Sequence, residues 1–316
     1  MAGAAVHSDS LFSGLAGVLM LDEPLAPRTW IGVGGQADRF FQPADLEALR
    51  SLLQRGAELG LHVRVLGGGA NLLVADEGVG GVVVSLESEA FRQTDIDVES
   101  GRARIAAGAD LPRLVLHTAQ QGLTGLDALA GVPGTIGGAA RMNAGGKYGE
   151  IGAAITAVDF LHPDGSPQRF TRRDLQFDYR STNLPNGVIT HVEFEFGHDG
   201  PNEVHDRVKQ IMAEKKRQQP LAEKSAGCVF KNPLVEGERV SAGMLIDQAG
   251  LKGAAVGRAS VSERHANFLV TQPGCAASDI LTLIARIRER VAEAHDVMLE
   301  TELVIWRRDG EEEAKR

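Results

Sequence analysis

The order of hydrophobic and polar residues along this chain predicts a mixture of amphipathic helices and half-buried strands. Residues 43–60 place Leu46, Leu49 and Leu53 on one side of a helix, and Gly60 marks its end. Similar patterns predict helices over residues 110–122 and 201–219. Another helix is predicted after Ser278, which can cap it, and its apolar stripe consists of Ile280, Ile284, Ile287 and Val291.

Alternating or continuously apolar segments predict strands between these helices. The predicted strands are HVRVLG (62–67), GVVVSL (81–86), GVITHVEFEF (187–196) and LETELVIW (299–306). Hairpins are predicted around Ser100-Gly101 and around the Pro-Asp-Gly turn at 163–165. Because helices and strands do not alternate as steady βαβ units, the pattern favours an α+β fold over a doubly wound sheet.

Composition narrows the class of protein. A chain of 316 residues suggests two or three packed units, and its net charge of −9 argues against a nucleic-acid surface. The opening segment lacks a positive n-region and no run approaches 18 apolar residues, so neither a signal peptide nor membrane insertion is expected. The two cysteines make neither a disulfide framework nor a zinc-spaced cluster. A cytoplasmic protein without a metal is therefore expected.

Three glycine clusters indicate a site where the backbone approaches a ligand closely. The segment AGVPGTIGGAARMNAGGKYG carries six glycines between Gly131 and Gly146, too many for a regular helix or strand. The clusters GGGAN at 67–71 and GVGG at 32–35 add two more. A tight turn explains any one of them, but three beside apolar strands favour a phosphate or pyrophosphate ligand. None matches the Rossmann or P-loop pattern.

These glycines belong to a longer series of motifs that resembles a known family. In chain order the motifs are IGVGG, VLGGGANLL, GVPGTIGGAARMNAGG, DYR, SAGCVFKNP, AGMLIDQAGLKG and VSERHANFLV. The series resembles the UDP-N-acetylenolpyruvoylglucosamine reductase (MurB) family over roughly residues 28–306, and its spacing resembles the shorter, type II class.

The resemblance implies a fold and a reaction. It implies two subdomains of the vanillyl-alcohol-oxidase (PCMH) type of FAD-binding fold, at residues 1–92 and 93–198, and an α+β substrate-binding domain at residues 199–316. NADPH would reduce non-covalently bound FAD, which would in turn reduce UDP-N-acetylglucosamine enolpyruvate to UDP-N-acetylmuramate for peptidoglycan synthesis. Protein partners are not indicated.

Cofactor and substrate residues follow from the same motifs. The resemblance implies FAD contacts at Gly34, Gly67, Gly68, Gly69, Asn71, Leu72, Gly134, Thr135, Gly137 and Gly138. Ala70 stands where the family usually has a serine, which removes one hydroxyl contact to the pyrophosphate. For the substrate it implies Lys231, Asn232 and Asn267.

The resemblance also implies catalytic roles for Arg180, Cys228 and Glu302. The guanidinium of Arg180 can grip a carboxylate with two hydrogen bonds, although without the family a surface salt bridge would be the simpler interpretation. Glu302 shares a face with Val304 and Trp306 by strand alternation, and Glu300 is its nearest rival.

Cys228 stands where the family has the serine that donates the final proton. A thiol, with an ordinary pKa of about 8.5, also carries a transferable proton. The alternative for Cys228 is a small buried hydrophobic residue, which is the interpretation that we give Cys275.

Three rival functions share part of this pattern. A FAD-dependent oxidase of the same fold would have the glycine clusters without SAGCVFKNP. A transferase or hydrolase could use Cys228 as a nucleophile, but no activating histidine is identifiable. A non-catalytic nucleotide-binding module is the third alternative.

Overall fold

A computed structural model describes residues 11–308 of the chain. Its helices are α1 (Leu46–Glu58), α2 (Leu111–Gln120), α3 (Ile136–Arg141), α4 (Pro201–Gln218), α5 (Ala242–Gln248) and α6 (Ala277–His295). Its strands are β1 (Gly17–Pro24), β2 (Gln36–Pro43), β3 (Val63–Leu66), β4 (Leu72–Val74), β5 (Val82–Ser85), β6 (Thr94–Asp97), β7 (Arg102–Ala106), β8 (Leu123–Thr124), β9 (Gly145–Gly146), β10 (Gly149–Glu150), β11 (Ile155–Leu161), β12 (Pro167–Thr171), β13 (Phe177–Asp178), β14 (Ser181–Thr182), β15 (Val188–Glu195), β16 (Gly197–His198), β17 (Leu234–Val235), β18 (Glu238–Arg239), β19 (Ala255–Val256), β20 (Ala259–Val261), β21 (Leu269–Thr271) and β22 (Val304–Trp306).

The chain forms two compact units, each made of separate stretches of sequence. The first unit contains the chain up to Leu21, residues 39–68 and residues 81–213. The second contains residues 22–38, residues 69–80 and the chain from Glu214 onward. The predicted division at residues 92 and 198 stays a prediction.

The first unit is built on two sheets. One has the strand order β1-β2-β5-β3, in which β5 pairs in parallel with both β2 and β3. The other is antiparallel, with the order β12-β11-β15-β7-β6. The core of the first unit is one apolar cluster. Helix α1 contributes Leu49 and Leu52 to it, and β15 contributes Val192 and Phe194. Because α3 begins beside β7, with Gly137 N–H donating to the Ala107 carbonyl, the glycine-rich segment is anchored on this second sheet.

The second unit packs α5 and α6 with short strands. β19, β20 and β21 form a small antiparallel sheet, and β22 pairs in parallel with β4. The apolar stripe of α6, which includes Ile280, Ile284 and Ile287, shares one core cluster with Val229 and Phe230. The segment that carries Cys228 is therefore supported by the longest helix of this unit.

The structure confirms the predicted α+β class and corrects three local details. Leu46 begins α1 but its side chain is exposed, because the stripe of α1 is completed by Leu52. Ser278 does not cap α6, since Ala276 is the N-cap residue and Asp76 accepts hydrogen bonds from the first N–H groups. The last strand begins at Val304 rather than at residue 299, so strand alternation does not apply to Glu302.

No helix within residues 11–308 combines the length and apolar character that a membrane crossing needs. Residues 1–10 of the opening segment on which the signal-peptide interpretation depends lie outside the described residues.

Candidate active site

Two of the glycine segments meet within the first unit. Gly67 and Gly68 follow β3 and lie against Gly134 and Thr135 at the start of α3. A Cβ atom added to Gly68 would lie 2.8 Å from Gly134 Cα, and one added to Gly67 would lie 2.8 Å from Thr135 Oγ1. The two backbones therefore approach each other at a distance that no side chain permits.

Thr135, Gly137 and Gly138 shape the start of α3 in different ways. Thr135 is the N-cap residue, and its Oγ1 accepts a hydrogen bond from Gly138 N–H at 3.4 Å. Gly137 is required by packing, because an added Cβ atom would lie 2.8 Å from Ala107 Cβ. An added Cβ atom at Gly138 would meet only Thr135 Oγ1, at an ordinary 3.5 Å. Packing therefore accounts for Gly137 but not for Gly138, which fits the close approach of a ligand there.

The remaining predicted cofactor glycines lie in the second unit and have packing reasons of their own. Gly34 has φ +126°, and an added Cβ atom would lie 2.7 Å from Val74 Cβ. Gly69 has φ +62°, and an added Cβ atom would collide with the Arg28 carbonyl. Leu72 is buried in β4. These residues keep their predicted cofactor role as a prediction.

Asn71 ties the second glycine segment to Glu302. Its side-chain amide donates to the Glu302 carbonyl at 2.9 Å, and its own carbonyl accepts from Val304 N–H at 3.2 Å. The predicted cofactor residue Asn71 and the predicted catalytic residue Glu302 are thus neighbours.

Arg180 occupies the tip of a two-residue turn between β13 and β14. The flanking residues Asp178 and Ser181 are cross-strand partners, and Arg180 has φ +56°. A left-handed conformation costs a residue with a side chain about 1–2 kcal/mol. The guanidinium lies over the Tyr179 ring, with Arg180 Cζ 5.1 Å from the ring centroid. Backbone strain of this kind is typical of functional positions.

Cys228 begins a segment that is held between two neighbouring stretches of chain. On one side, Cys228 forms an isolated antiparallel β-bridge with Phe268, and Val229 N–H donates to the Asn267 carbonyl at 2.9 Å. On the other side, Glu302 N–H donates to the Val229 carbonyl at 2.7 Å. The backbone therefore places Cys228 and Glu302 on adjacent segments of the second unit.

The predicted substrate residues lie on the same segment or beside it. Lys231 Nζ is 3.3 Å from the carboxylate of Glu300, whose side chain is 57% exposed. Asn232 Oδ1 accepts from Ala242 N–H at 3.0 Å at the start of α5. Asn267 is 3% exposed, and its amide binds both the N–H and the carbonyl of Phe230, at 2.9 and 2.8 Å. Asn232 and Asn267 therefore have structural contacts, and substrate binding by all three stays a prediction.

Two titratable groups near these residues are held in their neutral forms. Burial lowers the pKa of His265, whose Nδ1 accepts from Asn267 N–H at 3.2 Å. Burial and the Asp279 carboxylate raise the pKa of Cys275 to about 11, so this thiol stays protonated. The Cys275 thiol also packs against the core of the second unit, which agrees with its interpretation as a small hydrophobic residue. Among the described residues no group of three or more His, Cys, Asp or Glu side chains could hold a metal ion.

The structure thus brings together Cys228, Glu302 and Lys231 in one unit, and places Arg180 in the other. Sequence reasoning missed Asn143, a fully buried residue whose side chain contacts the Arg180 hairpin. The available signal was a polar residue inside the predicted ligand-binding segment, between the glycines at 137–138 and those at 145–146.

Comparison with known proteins gives consistent matches over both units. Residues 37–171 match the family model described as FAD binding domain, and residues 219–306 match UDP-N-acetylenolpyruvoylglucosamine reductase, C-terminal domain. The UDP-N-acetylenolpyruvoylglucosamine reductase of Anaeromyxobacter sp. (strain K) is 41% identical over 297 residues, covering 93% of this chain and 88% of the relative. That of Myxococcus xanthus is 40% identical over 283 residues, covering 89% and 90%.

A solved structure agrees with these matches. The crystal structure of UDP-N-acetylenolpyruvylglucosamine reductase (MurB) from Thermus caldophilus is 38% identical, with a TM-score of 0.78, and covers 93% of this chain and 100% of that one.

Proposed function

The chain belongs to the UDP-N-acetylenolpyruvoylglucosamine reductase family, and on that premise we propose the residues that carry out its reaction. The protein is a FAD-dependent oxidoreductase that reduces UDP-N-acetylglucosamine enolpyruvate to UDP-N-acetylmuramate, with NADPH as the reductant, in peptidoglycan synthesis. The predicted family, FAD-binding fold and cofactors are thereby confirmed. We place the reaction in the cytoplasm, where NADPH and nucleotide sugars are made.

The residues present fit FAD. Gly67–Gly68 and Gly134–Thr135 bring backbone without bulky side chains to one place, and packing gives no reason for glycine at position 138. Such a backbone suits the close approach of a pyrophosphate. We assign contacts with FAD to Gly67, Gly68, Gly134, Thr135 and Gly138. Gly34, Gly69, Asn71, Leu72 and Gly137 stay predicted contacts. The chemistry that FAD supplies when bound is the relay of a hydride from NADPH to the enolpyruvyl methylene carbon.

Arg180 stabilises the negative charge that develops next to that carbon. Hydride addition to the methylene carbon leaves charge on the neighbouring carbon and on its carboxylate. The Arg180 guanidinium remains charged at all relevant pH values and can donate two parallel hydrogen bonds to a carboxylate. Such a fixed cation lowers the energy of the charged intermediate.

Cys228 completes the reduction by donating its Sγ proton to the charged carbon. The new C–H bond forms as the S–H bond breaks, and solvent then returns a proton to the thiolate. Glu302 lies on the adjacent segment, and we assign its side chain as a hydrogen-bond donor to the same charge. The observation that carries this assignment is the 2.7 Å hydrogen bond from Glu302 N–H to the carbonyl of Val229, the residue after Cys228.

The visible spectrum of the purified protein tests the function. Flavin absorption should bleach on adding NADPH without air, and should return on adding the enolpyruvyl nucleotide, with UDP-N-acetylmuramate as the product. Bleaching followed by return only with oxygen would instead indicate the rival FAD oxidase. A colourless protein would favour the hydrolase or transferase alternative, while flavin bands that NADPH does not bleach would favour a binding module.

The mode of cofactor attachment is tested on the same sample. The residues assigned to FAD offer hydrogen bonds rather than a tether, so acid precipitation should release the yellow cofactor into the supernatant. Flavin that stays with the pellet would contradict non-covalent binding.

A further inference from the structure

Asn143 connects the end of α3 to the hairpin that carries Arg180. It is fully buried and has φ +46°, a left-handed conformation that asparagine tolerates. Its Nδ2 donates to the Asp178 carbonyl at 3.0 Å and to the Glu150 carboxylate at 2.6 Å. Its Oδ1 accepts from Gly152 N–H at 3.0 Å. One side chain therefore joins three separate backbone segments of the first unit.

The contact with Asp178 falls at the base of the turn. Asp178 is the residue just before Tyr179 and Arg180, and it pairs with Ser181 across the turn. Its carbonyl orientation helps to fix the direction in which the turn leaves β13. Gly152 strengthens the same junction, because an added Cβ atom there would lie 2.5 Å from Phe177 Cγ. The loop and the hairpin are thus closely packed around the Asn143 amide.

A strained turn needs such external support. The left-handed Arg180 is disfavoured locally, and its ring contact with Tyr179 lies within the turn itself, so that contact cannot fix the turn relative to the rest of the unit. Two ties that reach outside the hairpin come from Arg141, the last residue of α3, and from Asn143, two residues later. Thr182 Oγ1 donates to the Arg141 carbonyl at 3.3 Å, on the opposite strand from Asp178. Arg141 also donates to the carbonyls of Leu184 and Pro185, farther along the chain.

We propose that Asn143 is a positioning residue for Arg180, acting through the Asp178 carbonyl to hold the guanidinium in the orientation that the reaction needs. The proposal rests on the proposed role of Arg180. It also means that the glycine-rich segment has two functions: its beginning binds the cofactor, and its end orients a catalytic side chain. A displacement of about 1 Å at a reacting group costs up to about a hundredfold in rate, so loss of this tether should be visible in kinetics.

The test uses Asn143→Gly in the FAD-loaded enzyme. Glycine adopts the left-handed conformation without strain, so this variant removes the side chain and preserves the backbone. Reoxidation of the reduced flavin by the enolpyruvyl nucleotide should slow by about tenfold or more. Reduction by NADPH and FAD affinity, measured by flavin fluorescence, should stay within about twofold. Asn143→Asp combined with Glu150→Gln keeps the acceptor for Gly152, removes the donor to the Asp178 carbonyl and avoids two adjacent carboxylates, so it should slow the same step and serves if the glycine variant does not fold.

Asn183→Ala is the matched control. Asn183 also makes two side-chain hydrogen bonds to main chain in this segment, with Gln176 N–H at 2.9 Å and the Asp174 carbonyl at 2.7 Å, away from the turn. This variant should leave reoxidation within about twofold of the wild type.

A double variant, in which Asn143→Gly is combined with Arg180→Lys, separates a positioning effect on Arg180 from general damage to the fold. If Asn143 acts through Arg180, the effects should be less than additive. Full additivity, or equal loss in both half-reactions, would overturn the proposal while leaving Arg180 catalytic. Wild-type reoxidation in Arg180→Lys alone would instead overturn the role of Arg180, and with it the proposal.

Discussion

The Arg180 hairpin and the Cys228 segment carry two of the proposed catalytic groups, but they are held in place in different ways. The hairpin has a left-handed residue at its tip and depends on side-chain ties from Asn143 and Thr182. The Cys228 segment is held by main-chain hydrogen bonds to residues 267–268 and 300–303, and the side chain of Asn267 adds two further bonds, both to Phe230 rather than to Cys228.

This difference predicts how each region tolerates substitution. Main-chain hydrogen bonds are available to every residue except proline, so the side chain at position 228 can change while the backbone stays in place. The backbone can therefore hold a cysteine at the position where the family resemblance predicts a serine. The hairpin depends on particular side chains, so the removal of one tie alters its geometry.

The largest expected effect is that of Cys228→Ala. The main-chain contacts remain, so the variant should lose the proton donor and little else. A general acid contributes about 10²–10⁴ in rate, and reoxidation by the enolpyruvyl nucleotide should slow within that range. Cys228→Ser should keep substantial activity because a hydroxyl can donate the proton. An alanine variant that turns over like the wild type would show that the thiol only packs.

Glu302→Ala should have the next largest effect. Alanine removes the proposed donor to the developing negative charge, which costs about 10² in rate, and the loss should again fall on reoxidation. Glu300→Ala is the matched control, because Glu300 is exposed and pairs with Lys231, an ion pair worth at most about 1 kcal/mol. A larger effect at Glu300 than at Glu302 would exchange their assignments.

Peroxide should inactivate the enzyme through Cys228. A half-buried thiol in an active site can be oxidised to a sulfenic acid, which has no S–H proton for the substrate carbon. Cys228→Ser should resist peroxide, whereas Cys275→Ser should remain as sensitive as the wild type, because the raised pKa of Cys275 disfavours the reactive thiolate. Thiol-reducing agents should restore the lost activity. If the Cys228→Ser variant were as sensitive to peroxide as the wild type, the inactivation would come from another residue.

The smallest expected effect concerns the support behind the Cys228 segment. Asp76 accepts hydrogen bonds from the N–H groups of Ala277 and Ser278, at 2.7 and 2.9 Å, at the start of α6. Asp76→Ala should destabilise the second unit by about 1 kcal/mol, which thermal unfolding would measure.

The stabilisation by Asp76 should depend on pH. Burial alone would raise the pKa of Asp76, but the hydrogen bonds from Ser278 and Ala277 lower it below the ordinary value of 3.8. A lowered pKa means that the stabilisation is present above the ordinary value and is lost as pH falls through the lowered one. The difference between wild type and Asp76→Ala should therefore shrink in acid. A constant difference would mean that the carboxylate charge contributes nothing.

Local patterns predicted the fold where neighbours in sequence decide the structure. The stripe of α6 and the hairpin around Ser100-Gly101 were visible because helix and turn preferences act within a few residues. Ser278 was assigned the wrong role because the residue that binds the start of α6, Asp76, lies 201 residues earlier in the chain. The strand predicted at residues 299–306 is longer than the observed one, because Thr301 and Glu302 pair with residues 229–230 instead of continuing β22.

The candidate site was predictable from motifs but not from physical pattern alone. The glycine clusters indicated close backbone approach, and the structure places Gly68 against Gly134. Nothing local distinguishes Arg180 from a surface arginine, since its left-handed turn depends on contacts with Asn143, 37 residues away, through Asp178. Long-range ties of this kind are invisible to sequence periodicity.

The central claim is that both regions serve the second half-reaction, and stopped-flow absorbance tests it most directly. Arg180→Lys and Cys228→Ala would each be mixed first with NADPH, and then, once reduced, with the enolpyruvyl nucleotide. Both variants should be reduced within about twofold of the wild-type rate and reoxidised at least about tenfold more slowly. Slower reduction by NADPH, with reoxidation unchanged in either variant, would contradict the claim.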